Sequence, residues 1–166
     1  MFEPVAYSGN REKDYGLVTE QARRLWETDL PLASNLANVS ALLKQFLDRT
    51  NWVGFYLWDP AGSQLVVGPF QGLPACTRIA PGKGVCGAAV STRKTQRVAD
   101  VHAFPGHIAC DSASRSEIVV PLLRGVAVLG VLDIDSPDLD RFDSLDQAGL
   151  ERFAAALQSL WPPESR

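Results

Sequence analysis

The chain lacks the features that most partner classes demand. No apolar run among its 166 residues approaches the ~18 of a membrane-spanning helix. Neither sign of charge dominates: 16 Lys and Arg stand against 19 Asp and Glu, net −3, with no basic block and no acidic tail. Nucleic acid and anionic membrane are therefore poor candidates for the main partner. Cysteine is sparse and odd in number, three in all, which argues against a secreted disulfide framework. No two cysteines stand at C-x-x-C spacing, so neither a zinc ribbon nor a thioredoxin motif is supported. The opening "MFEPVAYSGNREKDYG" has no charged start followed by an apolar stretch, as a signal peptide would. A cytoplasmic protein with reduced thiols is expected, in which any disulfide is transient and catalytic rather than structural.

What remains is the composition of a folded domain. Apolar residues make up 46% and charged residues 21%, the ordinary balance of a globular chain. One domain spanning residues 1–166 is expected, large enough to bury roughly 70% of its unfolded surface. No internal repeat interrupts it.

Apolar spacing sorts the chain into elements. Residues 17–28 read as a helix with Leu17, Ala22, Leu25 and Trp26 inward. A second helix follows "DLP", with Asp29 as N-cap and Pro31 near the first turn. It carries Leu36, Val39, Leu42, Leu43, Phe46 and Leu47 at helical spacing. "NWVGFYLWD" and "SQLVVGPFQG" read as a hairpin across the turn "PAG". "GKGVCGAAVSTRK" reads as glycine followed by a short helix, and "EIVVPLL" and "VAVLGVLDID" as strands joined through Arg124-Gly125. A last helix starts at Asp143 or Ser144, where Ser144 and Gln147 match a capping box. This order gives an α+β class with a mainly antiparallel sheet. Residues 99–116 have loop composition and carry Cys110 and both histidines. Loops that long inside a compact domain are usually functional or disordered.

Strand alternation then places the chemistry. Trp52, Gly54, Tyr56 and Trp58 share a face, so Trp52 and Tyr56 stand ~13 Å apart along the strand with bare Gly54 between them. This is either a core aromatic face or an aromatic trough for a small apolar or sulfonium-like group. Asp133 and Asp135 share a face ~7 Å apart. If Leu123-Arg124-Gly125 is a three-residue turn, Glu117 pairs opposite Val131 and joins that face, diagonal to Asp133. A four-residue turn would send it to the other face. Three carboxyls together either meet water at a strand end or suit an ammonium group, and their repulsion would hold at least one protonated near neutral pH.

The cysteines leave several readings open. Cys86 follows Gly82-Lys83-Gly84 in a first helical turn, where the helix N-terminus favours thiolate; equally, it is a small residue packing that helix. Cys76 and Cys110 lie in loops, where two thiols can approach and separate. His107-x-x-Cys110 with Cys76 and Cys86 would make a zinc set on paper, with spacings unlike the common ones. His102 and His107 have no obvious catalytic partner in the sequence.

These stretches converge on a family. "NWVGFYLW", "GPFQGLPACTRI", "GKGVCGAA", "RVADVHAFPGHIACDSASRSEIVVPL" and "GVLDIDSP" resemble the free methionine-(R)-sulfoxide reductases, which are built on a GAF domain. The resemblance runs from about residue 50 to 137 and includes the spacing of all three cysteines. It implies a GAF-like domain with N- and C-terminal helices packed on one face of the sheet. It makes Cys110 the nucleophile, Cys76 the main resolving thiol and Cys86 an accessory thiol. Glu117, Asp133 and Asp135 would bind the substrate amine and protonate the sulfoxide oxygen, and Trp52 and Tyr56 would wall the methylthio end. It further implies free methionine sulfoxide as substrate, thioredoxin as reductant, a homodimer, and no metal or organic cofactor. The competing expectation is a GAF sensor binding a cyclic nucleotide or another small effector without chemistry.

Overall fold

Residues 5–106 and 111–163 are described by the structure, a computed structural model of the chain. Helices α1 (Arg11–Leu25) and α2 (Leu32–Phe46) precede the hairpin β1 (Trp52–Asp59) and β2 (Gln64–Gln71). Then come β3 (Arg78–Ile79), α3 (Gly84–Thr92), β4 (Gln96–Val98), β5 (Ser116–Arg124), β6 (Ala127–Ser136) and α4 (Ser144–Leu160). The six strands form one sheet in the order β3-β2-β1-β6-β5-β4, and every pairing is antiparallel.

Alternation along the central strands splits the interior in two. Val53 and Phe55 on β1, Ile118, Val120 and Leu122 on β5, and Leu132 and Ile134 on β6 face α1, α2 and α4 and build the larger core. Each such side chain contributes about 1.5–3 kcal/mol on burial. The intervening positions face the other way: Trp52, Tyr56, Val119 and Val131 pack with Ile79 of β3 and Val85, Cys86, Ala89 and Val90 of α3. The N- and C-terminal helices thus cover one face, as expected, and α3 covers the other. That is why β5 is buried over seven consecutive residues, Ser116 to Leu122, where an antiparallel strand often keeps one face wet. Among the described residues no helix is long and apolar enough to cross a membrane.

Several local expectations are corrected. Helix α1 starts at Arg11, capped by the Asn10 side chain, which accepts from the Lys13 N–H. Its inward face is Tyr15, Val18 and Ala22, with Leu17 and Leu25 only half-buried. Asp29 does not cap α2; Pro31 holds that position without a side-chain bond. The capping box of α4 is Asp143 with Asp146, one residue before the expected Ser144–Gln147 pair. Asp146 also accepts from the buried Tyr15 hydroxyl at 2.8 Å, tying α1 to α4.

Candidate active site

The face of the sheet under α3 carries the chemistry. Glu117 of β5 stands directly opposite Asp135 of β6. The expected partner, Val131, instead pairs with Pro121. The difference has a local cause: the chain turns over Gly125-Val126, with Gly125 at φ 58°, and a bulge sits between Leu122 and Leu123. The register moves by an even number of residues, so Glu117 keeps the predicted face. On the other side of β6, β1 sets Trp52 opposite Asp135 and Gly54 opposite Asp133.

The aromatic trough takes a different form from the open one expected. A Cβ on Gly54 would collide with Phe70 of β2, so the bare position is filled by a neighbouring strand. Trp52 stacks on Tyr56 with ring centroids 5.7 Å apart, and on Phe70 at 5.0 Å. Its Nε1 donates to the Leu73 carbonyl at 3.2 Å. Trp52 and Tyr56 are therefore core residues and a cavity wall at once: both are buried, and both line a small cavity of ≈ 40 Å³. Pro74, Ala75 and Ile79 extend the apolar wall, and Lys83, Cys86, Asp111, Ser114, Glu117, Asp133 and Asp135 supply the polar one. A cavity of that size holds only a few waters, so a ligand as large as an amino acid requires the walls to give.

Burial governs the charges here. Glu117 and Asp133 are buried and Asp135 is half-buried. Desolvation, then the neighbouring carboxylates, hold Glu117 and Asp135 well above the usual carboxyl range. Asp133 is raised less, to about 6, because bonds from Cys86, Glu117 and the Ile134 N–H favour its ionised form. Its Oδ1 is buried without a hydrogen-bond partner. Leaving such an acceptor unpaired costs ~1–3 kcal/mol or more, so a donor belongs there.

The cysteines separate. Cys86 is the free cysteine among the described residues, buried, with Sγ 4.0 Å from Glu117 Oε1. Burial and then Asp133 and Glu117 push its thiol well up. Cys86 therefore stays a thiol, chiefly because it is buried and then because carboxyls surround it, rather than the thiolate that a first-turn position suggests. Cys76 lies half-buried between β2 and β3 and is disulfide-bonded. Cys110 and His107 lie outside the described residues. Cys86, Glu117 and Asp133 offer ligand atoms within 4.8 Å of one another, the one such group found among the described residues; it differs from the zinc set that spacing allowed. His102 sits exposed in a short 3-10 turn, Val101–Ala103.

One residue escaped sequence reasoning. Asn51 Nδ2 donates to Asp111 Oδ2 at 2.8 Å and to Ser114 Oγ at 2.9 Å. The turn it grips closes on itself: the Ala113 N–H donates to Asp111 Oδ1 and the Ser114 N–H to the Asp111 carbonyl. Those two N–H groups are consumed and do not form a nest for an anion. No signal in the sequence marks Asn51, because its partners lie 60 and 63 residues away.

A six-stranded antiparallel sheet, helices on one face and a buried polar cavity on the other define a GAF domain, and residues 31–159 match that family. Over 95% of this chain and 97% of its own length, Protein YtsP of Bacillus subtilis is 51% identical. The free methionine-R-sulfoxide reductase of Escherichia coli is 46% identical over 91% of this chain and 90% of its own. The solved structure of the Staphylococcus aureus fRMsr in complex with substrate superposes with a TM-score of 0.82 at 47% identity, covering 95% of this chain and 99% of that one. The chain belongs to the free methionine-R-sulfoxide reductase family.

Proposed function

We propose that the protein is an oxidoreductase that reduces free methionine (R)-sulfoxide to methionine, as a single catalytic domain in the cytoplasm. The observation that carries this reading is the buried carboxyl cluster beside the stacked Trp52–Tyr56 pair. It joins a seat for an ammonium group to a wall for a methylthio group within one cavity. Asp133, the most readily ionised of the three and with Oδ1 unpartnered, takes the substrate ammonium. Glu117 and Asp135, whose pKa values lie well up, are the protonated groups that hand a proton to the sulfoxide oxygen.

The steps balance as thiol chemistry. The Cys110 thiolate attacks the sulfoxide sulfur, the oxygen takes a proton, and methionine leaves with Cys110 as a sulfenic acid. The Cys76 thiol condenses with that sulfenic acid, forming a disulfide and releasing water. Thioredoxin's dithiol reduces the disulfide by exchange and becomes the oxidised partner. Cys86, held as a neutral buried thiol against Glu117 and Asp133, is an accessory rather than an attacking group. A homodimer is the assembly this reading carries.

The test is NADPH oxidation coupled through thioredoxin reductase and thioredoxin, run separately with the R and S diastereomers of free methionine sulfoxide. Turnover confined to the R form is expected. No turnover with either, together with tight binding of a small effector, would return the protein to the sensor reading.

A further inference from the structure

We infer that the cavity under α3 binds one thiophilic divalent cation of the zinc class, held by Cys86 Sγ and by a carboxyl oxygen each from Glu117 and Asp133, and that this cation excludes the substrate. The donors come from three elements that meet on one face of the sheet: Cys86 in the first turn of α3, Glu117 near the start of β5 and Asp133 on β6. One ligand atom from each lies within 4.8 Å of the other two, and Sγ stands 4.0 Å from Glu117 Oε1. Zinc with Zn–S of ~2.3 Å and Zn–O of ~2.1 Å spaces tetrahedral sulfur and oxygen donors ~3.6 Å apart, so side-chain adjustments of about 1 Å close the set on an ion. A cluster alone would not make a site. Asp133 supplies the independent sign of a ligand: it is 5% exposed, it lines the cavity, and its Oδ1 has no hydrogen-bond partner. A bound cation satisfies that oxygen.

Sulfur selects the class of cation. A thiol is a weak acceptor and adds little to the seat of an ammonium group. As thiolate it is a strong ligand for zinc and similar ions, whereas magnesium and calcium take oxygen sets. On binding, the metal–sulfur bond forms, the Cys86 S–H breaks and its proton passes to solvent. The thiolate and two carboxylates offset the charge of a dication, as burial of an ion requires. Size agrees as well. A cavity of ≈ 40 Å³ admits an ion and one water with its walls in place, while an amino acid needs them to give. Three protein ligands leave the fourth tetrahedral position to that water. Cys86 has no step of its own in the reaction proposed above, and here it has a task. Substrate ammonium and metal both take Asp133, so each excludes the other. The exclusion rests on the reductase reading above; the cation site does not.

The experiment uses the disulfide-bonded form, in which Cys86 is the free cysteine among the described residues. Chelator-stripped wild type, Cys86→Ser and Asp133→Asn are titrated with Zn²⁺ by calorimetry, and X-ray absorption at the zinc edge identifies the ligands in the wild type. One zinc per chain is expected, with a single sulfur and otherwise oxygen around it. Each substitution should weaken zinc binding by about 100-fold or more, because even an outer partner of a metal ligand is worth about 10- to 100-fold. Zinc held without sulfur, or held equally well by either variant, is surface binding and overturns the inference. So does Mg²⁺ binding as tightly as Zn²⁺. Should a variant fail to fold, the sulfur in the wild type decides: its presence supports the site and its absence overturns it. With free zinc held constant by a metal buffer, added methionine should lower zinc occupancy. Zinc bound through one sulfur but indifferent to methionine upholds the cation site and overturns the exclusion. A wild type inert in the coupled assay counts against the reductase reading alone, and the zinc titration still judges the site.

Discussion

Asp133 is an acid kept where folding disfavours its charge. Its pKa rises on folding from an ordinary 3.8 to about 6, mainly through desolvation. Between those values the folded protein holds more protons than the unfolded chain, so this group's contribution to stability is full below pH ~4 and is lost as pH rises to ~6. Asp133→Asn carries no such dependence. It is expected to be more stable than wild type at neutral pH by on the order of 1–3 kcal/mol, with the gain vanishing near pH ~4. Urea unfolding at the two pH values checks this, and a gain of equal size at both would place the effect elsewhere. If Asp133 seats the substrate ammonium as proposed, the same substitution should raise KM for free methionine sulfoxide, and an unchanged KM would contradict that role. At this scale the cysteines also divide. Cys110→Ser should abolish even a single turnover. Cys76→Ser should still release one methionine per enzyme and then stop, and Cys86→Ser should keep most of the steady-state rate. Methionine measured without reductant, beside NADPH consumption with thioredoxin, separates them. Single turnover lost in Cys86→Ser and kept in Cys110→Ser would make Cys86 the nucleophile.

At the scale of elements, parity was legible and register was not. Alternation placed Trp52 and Tyr56 together, and Asp133 with Asp135, because every second residue of a strand shares a face. The partner of Glu117 depended on a two-residue turn and a bulge at Leu122–Leu123. Neither leaves a mark in an apolar pattern. Strands β3 and β4 have two and three residues, too few to show any period. The start of α1 was hidden because "REKD" presents no apolar repeat, and Gly16 within that helix looks like a breaker. The filling of Gly54 by Phe70 came from a strand pairing that spacing alone does not reveal. The α4 cap gives this scale its prediction. Asp143 accepts from the Leu145 and Asp146 N–H groups and pairs with Arg11 at 2.7 Å. Asp143→Ala should cost about 1 kcal/mol, nearly all from the cap, since the exposed ion pair adds little. The denaturant midpoint should fall with its slope unchanged. A change in kcat would show that α4 is coupled to the site on the far face of the sheet, which this architecture does not predict.

For the whole molecule, the two faces of one sheet have different tasks. The helices α1, α2 and α4 bury one face in an apolar core and make it rigid. The other face can then carry three carboxyls, a thiol and two stacked rings beneath a short helix, at a local cost that the larger core sustains. The central claim is that this second face reads a free amino group and protonates a sulfoxide in the same cavity. It is tested most directly by comparing kcat/KM for free methionine (R)-sulfoxide with that for its N-acetyl form. Acetylation removes the positive charge and leaves buried carboxyl oxygens without their partner, a loss of ~2–5 kcal/mol by analogy with broken interfacial ion pairs. The account predicts a fall of at least about 30-fold, the lower end of that range. Comparable values for the two substrates would contradict it.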